Sequence, residues 1–299
     1  MTSLASSLRR PRLLIVGCGD IGLRVLRLLH PRWRVFALSS TPARVPALRA
    51  AGAVPLLGDL DDAATLGRLG ALATHVLHLA PPAPEGPIDA RTRRLVSALA
   101  RGGGVQRFVY ASTSGVYGDC HGARVPETRR VAPASARAQR RADAEASVRA
   151  WGRRSGVCVS ILRVPGIYAL DRAGGDPRER LRRGTPVLRE EDDVYTSHIH
   201  ADDLARACVA ALLRGRSQRI VNVCDDTELR MGDYFDLAAD LLDCPRPPRI
   251  SRAQAQAQLS PLSVSFMSES RRLDNTRLRH ELRLRLRYPT VAAGLRSRQ

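Results

Sequence analysis

Residues 12–22, Arg-Leu-Leu-Ile-Val-Gly-Cys-Gly-Asp-Ile-Gly, constrain this chain more than any other stretch. The apolar run from Leu13 to Val16 reads as a buried strand, and it stops at Gly17, Gly19 and Gly22, spaced G-x-G-x-x-G. Ile21, Val25, Leu28 and Leu29 then recur at helical spacing. Gly17 allows a sharp turn, Gly19 lets backbone approach a pyrophosphate, and Gly22 lets the helix pack closely on the strand. The helix N-terminus offers free N–H groups and the positive end of its dipole. The turn therefore predicts a dinucleotide-phosphate site made by Gly17, Cys18, Gly19, Asp20, Ile21 and Gly22. An ordinary strand–helix turn is the simpler alternative.

The remaining chain is consistent with a large α/β domain. Its 299 residues are 44% apolar, enough for a sizeable core, and no stretch approaches a membrane span. No apolar segment of signal-peptide type precedes the first strand, so the expected location is cytoplasmic. The six cysteines are scattered without a C-x-x-C pair, which predicts reduced thiols and no zinc ribbon. The formal charge of +19 would suggest nucleic acid, but all 48 basic residues are arginine. They are spread along the chain, and aromatics make up only 4%. This fits a coding bias better than a nucleic-acid surface, so no nucleic-acid partner is expected. Without lysine, Schiff-base chemistry is excluded.

Strand-like and helical patterns alternate. Strands are expected at Arg34 to Leu38, Ala53 to Leu57, His75 to Leu79, Phe108 to Ala111, Val157 to Leu162 and Ile220 to Val223. Helices are expected over 42–51, 88–101, 134–154, 201–214, 231–243 and 276–283, with a short one capped by Asp61. The alternating Arg and Leu of 283–288 could form a further strand. Such alternation gives right-handed βαβ units in a doubly wound parallel sheet, a Rossmann fold, with ligands at the strand carboxyl ends. Residues 1–170 are read as the NAD(P)-binding domain. Residues 171–299 are read as a smaller substrate-side region that partly returns to the sheet.

Further motifs identify a resemblance. Gly58-Asp59-Leu60, His78-Leu79-Ala80-Pro81, the run Val109-Tyr110-Ala111-Ser112-Thr113-Ser114-Gly115-Val116-Tyr117-Gly118, Arg163-Val164-Pro165-Gly166-Ile167-Tyr168 and His198-Ile199-His200-Ala201-Asp202-Asp203-Leu204-Ala205 occur in an order and spacing that resembles the short-chain dehydrogenase/reductase superfamily. The branch is that of extended, atypical NAD-dependent epimerase/dehydratase-like proteins. The resemblance implies that Asp59 and Leu60 lie beside the adenine, that Ala80 and Pro81 line the cofactor, that Thr113 is the catalytic hydroxyl, and that Pro165 touches the nicotinamide end. It also implies a homodimer through the helices at 88–101 and 134–154, and a small-molecule or nucleotide-sugar substrate altered at a carbonyl or hydroxyl.

The departures are specific. Val16 stands where the branch has its first glycine. Pro133 and Glu145 flank the helix that should carry Tyr-x-x-x-Lys, and they put Arg137 at the Tyr position and Arg141 at the Lys position. Arginine keeps the cation but is not a proton donor at neutral pH. Arg141 can still bind ribose hydroxyls or an anion, whereas Arg137 cannot replace the phenol. A non-catalytic dinucleotide-binding sensor or scaffold is therefore the alternative function.

Cofactor choice rests on the end of the second strand. Leu38-Ser39-Ser40-Thr41 carries no acid for a ribose 2′-OH, and Arg44 follows, so Ser39, Ser40 and Arg44 favour NADP over NAD. Cys18 in the glycine turn would have a lowered pKa beside a helix N-terminus, or would simply fit as a small residue. Tyr195 is the candidate substitute acid beside His198 and His200. No third ligand accompanies these histidines, and no metal is expected. Glu190-Glu191-Asp192-Asp193 reads as a solvated acidic loop.

Overall fold

The computed structural model describes residues 10–296. Its centre is a seven-stranded sheet. The strands are β1 (Arg12–Val16), β2 (Arg34–Ser39), β3 (Val54–Leu57), β4 (His75–His78), β5 (Arg107–Thr113), β6 (Cys158–Val164) and β7 (Arg219–Asn222), in the spatial order β7-β6-β5-β4-β1-β2-β3. β1 pairs in parallel with both β2 and β4, and the β2–β3 and β4–β5 pairs are parallel too. The order reverses at β1, between β2 and β4. The carboxyl end of β1 is therefore a topological switch point, where open α/β sheets bind ligands.

The elements form where the sequence pattern places them. Leu13, Leu14 and Ile15 are fully buried, as a strand covered on both faces requires. α1 (Asp20–Leu29) buries Ile21, Val25, Leu26 and Leu29. α3 (Ala90–Gly102) opens on Asp89, whose carboxylate accepts from the N–H of Thr92, and closes on left-handed Gly103. Between them, α2 (Val45–Ala50) follows a 3-10 turn at Pro42–Arg44. α4 (Ala136–Ser155), α5 (Ala201–Arg214) and α6 (Met231–Leu241) complete the main helices.

Several expectations need correction. Asp62, not Asp61, caps the turn at Ala63–Leu66, by accepting from the N–H of Ala64; Asp61 instead pairs with Arg91. Residues 283–288 form no strand. Their backbone turns at Arg283 (φ 50°) and sends the N–H groups of Arg287 and Tyr288 to the buried carboxylate of Asp203, which takes them out of any ladder. The helix expected over 276–283 is limited to Thr276–His280. The acidic run is not simply solvated: the side chain of Asp193 is buried, accepts from the N–H of Gly232 and lies 3.4 Å from Arg249. All six cysteines are free.

The described chain divides into two compact units. One comprises residues 10–111, 143–161 and 208–219; the other comprises residues 112–142, 162–207 and 220–296. In the first, β1 to β4 carry the glycine turn. In the second, Tyr168, Leu181, Tyr234, Ala238, Val291 and Leu295 make one buried cluster. Its short parallel pair, Gly166–Tyr168 with His198–His200, fixes the segment that follows β6 beside the segment that leads into α5.

Candidate active site

The first unit contains the glycine turn, and each glycine has its own reason. Gly17 has φ +83°, and a Cβ there would lie 2.5 Å from the amide nitrogen of Ala80. Only glycine fits. A Cβ on Gly22 would press on Cys18 Sγ at 3.1 Å and on Ile15 at 3.3 Å, so its absence allows the helix to close on the strand. A Cβ on Gly19 would meet nothing within 4 Å. Gly19 is also the N-cap of α1 and supplies no side-chain cap to the helix. The N-terminus of α1 therefore has no side-chain cap and is clear beside Gly19, which suits the close approach of a pyrophosphate.

The other residues expected at this cradle lie in the same unit. Arg44 Nη2 donates to the carbonyl of Cys18 at 2.8 Å. Ser39 Oγ accepts from the N–H of Thr41, and Ser40 is exposed. One oxygen of Asp59 accepts from the N–H of Asp61, Leu60 is buried, and the N–H of Ala80 donates to Val16 O ahead of exposed Pro81. Cys18 departs from the reactive reading. Burial pushes its thiol up to about 11, against the smaller opposing effect of Arg44, so it is a small packed residue and not a thiolate.

The second unit encloses a cavity of about 610 Å³. Thr113, Arg137 and Pro165 line it, as do Tyr195 and His198. Thr113 ends β5, and its hydroxyl oxygen accepts from the N–H of Gly115 at 3.2 Å, which leaves its O–H to donate elsewhere. Arg137 lies over the ring of Phe266 at 5.9 Å; burial and the neighbouring Arg141 both lower its pKa. Arg141 itself is not in the lining. Tyr195 packs its ring against the guanidiniums of Arg272 and Arg230, at 4.9 and 5.7 Å. Tyr168 and Tyr234 also face the cavity, but burial raises both phenols far above neutral pH.

Sequence reasoning missed the strongest feature of this cavity. Arg180, on the helix Pro177–Arg182, stacks over Phe235 at 4.6 Å and donates to Pro186 O at 3.0 Å. Burial, reinforced by Arg183, lowers its pKa, and its buried Nε has no hydrogen-bond partner. Neither Arg137, Arg180 nor Arg183 is paired with a carboxylate among the described residues, in contrast to Arg271, which meets Glu269 at 2.5 Å. With arginine so abundant, nothing in the sequence marks Arg180 or Arg183, and Arg137 stands out there only as the residue at the Tyr position. Among the described residues no group of three or more His, Cys, Asp or Glu side chains is arranged to hold a metal ion, and no helix is long and apolar enough to cross a membrane.

Residues 13–224 match the NAD dependent epimerase/dehydratase family. The chain belongs to this family. No curated protein matches it. Among solved structures, this epimerase/dehydratase-family member resembles a conserved protein of unknown function from Silicibacter pomeroyi, with 32% identity over 95% of this chain and 96% of that one, and a TM-score of 0.80. UDP-glucose 4-epimerase from Thermotoga maritima, with UDP-glucose, has 20% identity over 95% and 96% of the two chains and a TM-score of 0.78. DesIV, a dTDP-glucose 4,6-dehydratase from Streptomyces venezuelae with NAD bound, has 22% identity over 95% and 94% and a TM-score of 0.78. At these identities the latter two share the fold. Family membership carries a dinucleotide cofactor with it, and the glycine turn has the form to hold one.

Proposed function

We propose that this chain is an NAD(P)-dependent enzyme of oxidoreductase or epimerase type, acting at a carbonyl or hydroxyl of a phosphorylated small molecule such as a nucleotide sugar. One observation carries this reading: the cavity that contains Thr113 also gathers Arg137, Arg180 and Arg183 without carboxylate partners. Arg180 is half-buried with an unpartnered Nε, and a cation so placed is costly unless an anion joins it; a phosphate-bearing ligand would supply that anion, with Arg137 and Arg183 in the same lining. The cofactor residues would be Gly17, Cys18, Gly19, Asp20, Ile21 and Gly22 for the phosphates, with Asp59, Leu60, Ala80 and Pro81 along the dinucleotide; the family resemblance alone assigns Pro165 to the nicotinamide end. Ser39, Ser40 and Arg44 would take a 2′-phosphate, so NADP is the proposed form. A bound nicotinamide dinucleotide would supply hydride-transfer chemistry. Thr113 would orient the reacting oxygen through its free O–H, and Arg141 would hold a ribose hydroxyl or an anionic group.

A second reading has an observation of its own. The positions of the family's Tyr and Lys are Arg137 and Arg141, so no phenol is supplied for proton exchange. A protein that binds dinucleotide and anion without turnover is the result. One experiment separates the readings. The purified chain is titrated with NADPH, NADH and UDP-glucose, and the ternary mixture is followed by nicotinamide absorbance and by NMR of the sugar. Binding with a changed sugar supports the enzyme. Binding with an unchanged sugar for this and related nucleotide sugars supports the sensor. No dinucleotide binding by folded protein overturns both.

A further inference from the structure

Tyr195, Thr196, Ser197 and His198, in the extended segment that runs on to His200, line the same cavity. Ser197 Oγ accepts from the N–H of Leu273 at 3.1 Å, and His200 Nδ1 accepts from the N–H of Asp202 at 3.2 Å. Thr196 Oγ1 and His198 Nδ1 are buried atoms with no partner, and both residues line the cavity. They sit two apart on extended chain, the spacing that turns side chains to the same side. The His198 ring is held in place by a near-parallel stack on Tyr234, with centroids 4.0 Å apart and planes 11° apart, and by an edge contact with Tyr168. A rigidly placed, unpaired polar atom is a cost that folding alone does not explain.

We propose that Thr196 and His198 form a hydroxyl-recognition pair, which binds the neutral polyhydroxylated part of the substrate. This rests on the reading of the cavity as the substrate pocket. The chemistry of the pair selects that ligand class. A threonine hydroxyl both donates and accepts, and a neutral imidazole offers one of each. Burial keeps His198 neutral, with its pKa lowered to about 4, so the pair carries no charge at physiological pH. An anionic group would go to the unpaired guanidiniums in the same lining. Two neutral donor–acceptor groups side by side instead match the hydroxyls of a sugar, each of which also donates and accepts. The cavity then has a division of labour: Arg137, Arg180 and Arg183 for charge, Thr196 and His198 for hydroxyls.

The test compares UDP-glucose with UDP, which keeps the ribose but lacks the glucose, by calorimetric titration of the full chain. The variants are Thr196→Val, which keeps the shape without the hydroxyl, and His198→Phe, which keeps the stack on Tyr234 without the nitrogens. Each variant should lose roughly tenfold or more in UDP-glucose affinity while UDP affinity stays within about twofold, since lost hydrogen-bond partners are felt only by the ligand that used them. Unchanged UDP-glucose affinity, or equal loss for both ligands, overturns the pair. Wild-type protein that binds UDP but gains nothing from the sugar overturns the pair alone. Wild-type protein that binds neither overturns the substrate reading together with it. If His198→Phe does not fold, the imidazole nitrogen shifts of wild-type His198 serve instead: they should move with UDP-glucose and not with UDP, and equal response to both refutes the role.

Discussion

Arg44 Nη2 donates a 2.8 Å hydrogen bond to the carbonyl oxygen of Cys18, which ties the end of the second strand's loop to the middle of the glycine turn. The guanidinium is thereby held at the cradle with further donors to offer, since arginine has five N–H groups. Arg44→Asp should invert the cofactor preference: affinity for NADPH should fall by roughly tenfold or more relative to NADH, the scale of a lost charge-assisted contact. Parallel calorimetric titrations measure it. An unchanged ratio would mean that Arg44 serves only the turn.

Gly17 and Gly19 should respond in opposite ways. Gly17→Ala forces a side chain into a left-handed backbone and onto the Ala80 amide, so it should cost roughly 2–4 kcal/mol in chemical denaturation. Gly19→Asp has room for its Cβ and should leave the melting temperature nearly unchanged. Its carboxylate, however, would face the pyrophosphate, and dinucleotide affinity should fall by at least about 100-fold, because like charges brought together cost several kcal/mol. A Gly19→Asp protein that binds dinucleotide normally would remove the phosphate role of the turn.

Arg180→Gln tests whether charge in the cavity exists for a ligand. Removal of this half-buried cation, which has no carboxylate partner, should change stability little, the relieved desolvation offsetting the lost stack on Phe235 and bond to Pro186 O. UDP affinity should nevertheless fall by about 10- to 100-fold. Thermal melting and titration of the same preparation give both numbers. A protein that melts earlier and binds UDP as before would make Arg180 a structural residue.

The pH dependence of stability should carry two opposed contributions. The folded state keeps His198 neutral down to about pH 4, whereas an unfolded histidine takes up its proton near 6.5. Between these values the unfolded chain binds more protons, so this contribution is present above pH 6.5 and is lost as pH falls, at up to about 1.4 kcal/mol per pH unit. Buried Asp225 behaves in reverse. Its pKa is raised to about 8, chiefly by burial, and the unfolded carboxyl ionises near 4, so stability declines as pH rises from 4 towards 8. The two offset each other below pH 6.5, and only the Asp225 loss remains between 6.5 and 8. Denaturation of Asp225→Asn across that interval should show a flatter profile than wild type; an identical slope would refute the assignment.

The sequence by itself determined the sheet and its glycine turn. A buried strand, three glycines and an amphipathic helix have one common solution, because the turn needs a positive φ at Gly17 and close packing at Gly22. Strand and helix positions followed from periodicity, which is a local property. The errors were local competitions that periodicity cannot rank. Asp61 and Asp62 are adjacent equals until Arg91, thirty residues on, claims the first. The Arg-Leu alternation of 283–288 looks like a strand until Asp203, more than eighty residues earlier, takes its backbone donors. The pocket was decided by tertiary structure alone. Forty-eight arginines are indistinguishable in a sequence; a place in the cavity lining, a stack on Phe235 and a buried Nε without a partner together single out Arg180. Likewise, Thr196 and His198 become conspicuous only when their neighbours Ser197 and His200 are seen to have found partners and they are seen to have none. Whether a polar group is satisfied depends on contacts between distant segments, and those exist only after the chain has folded.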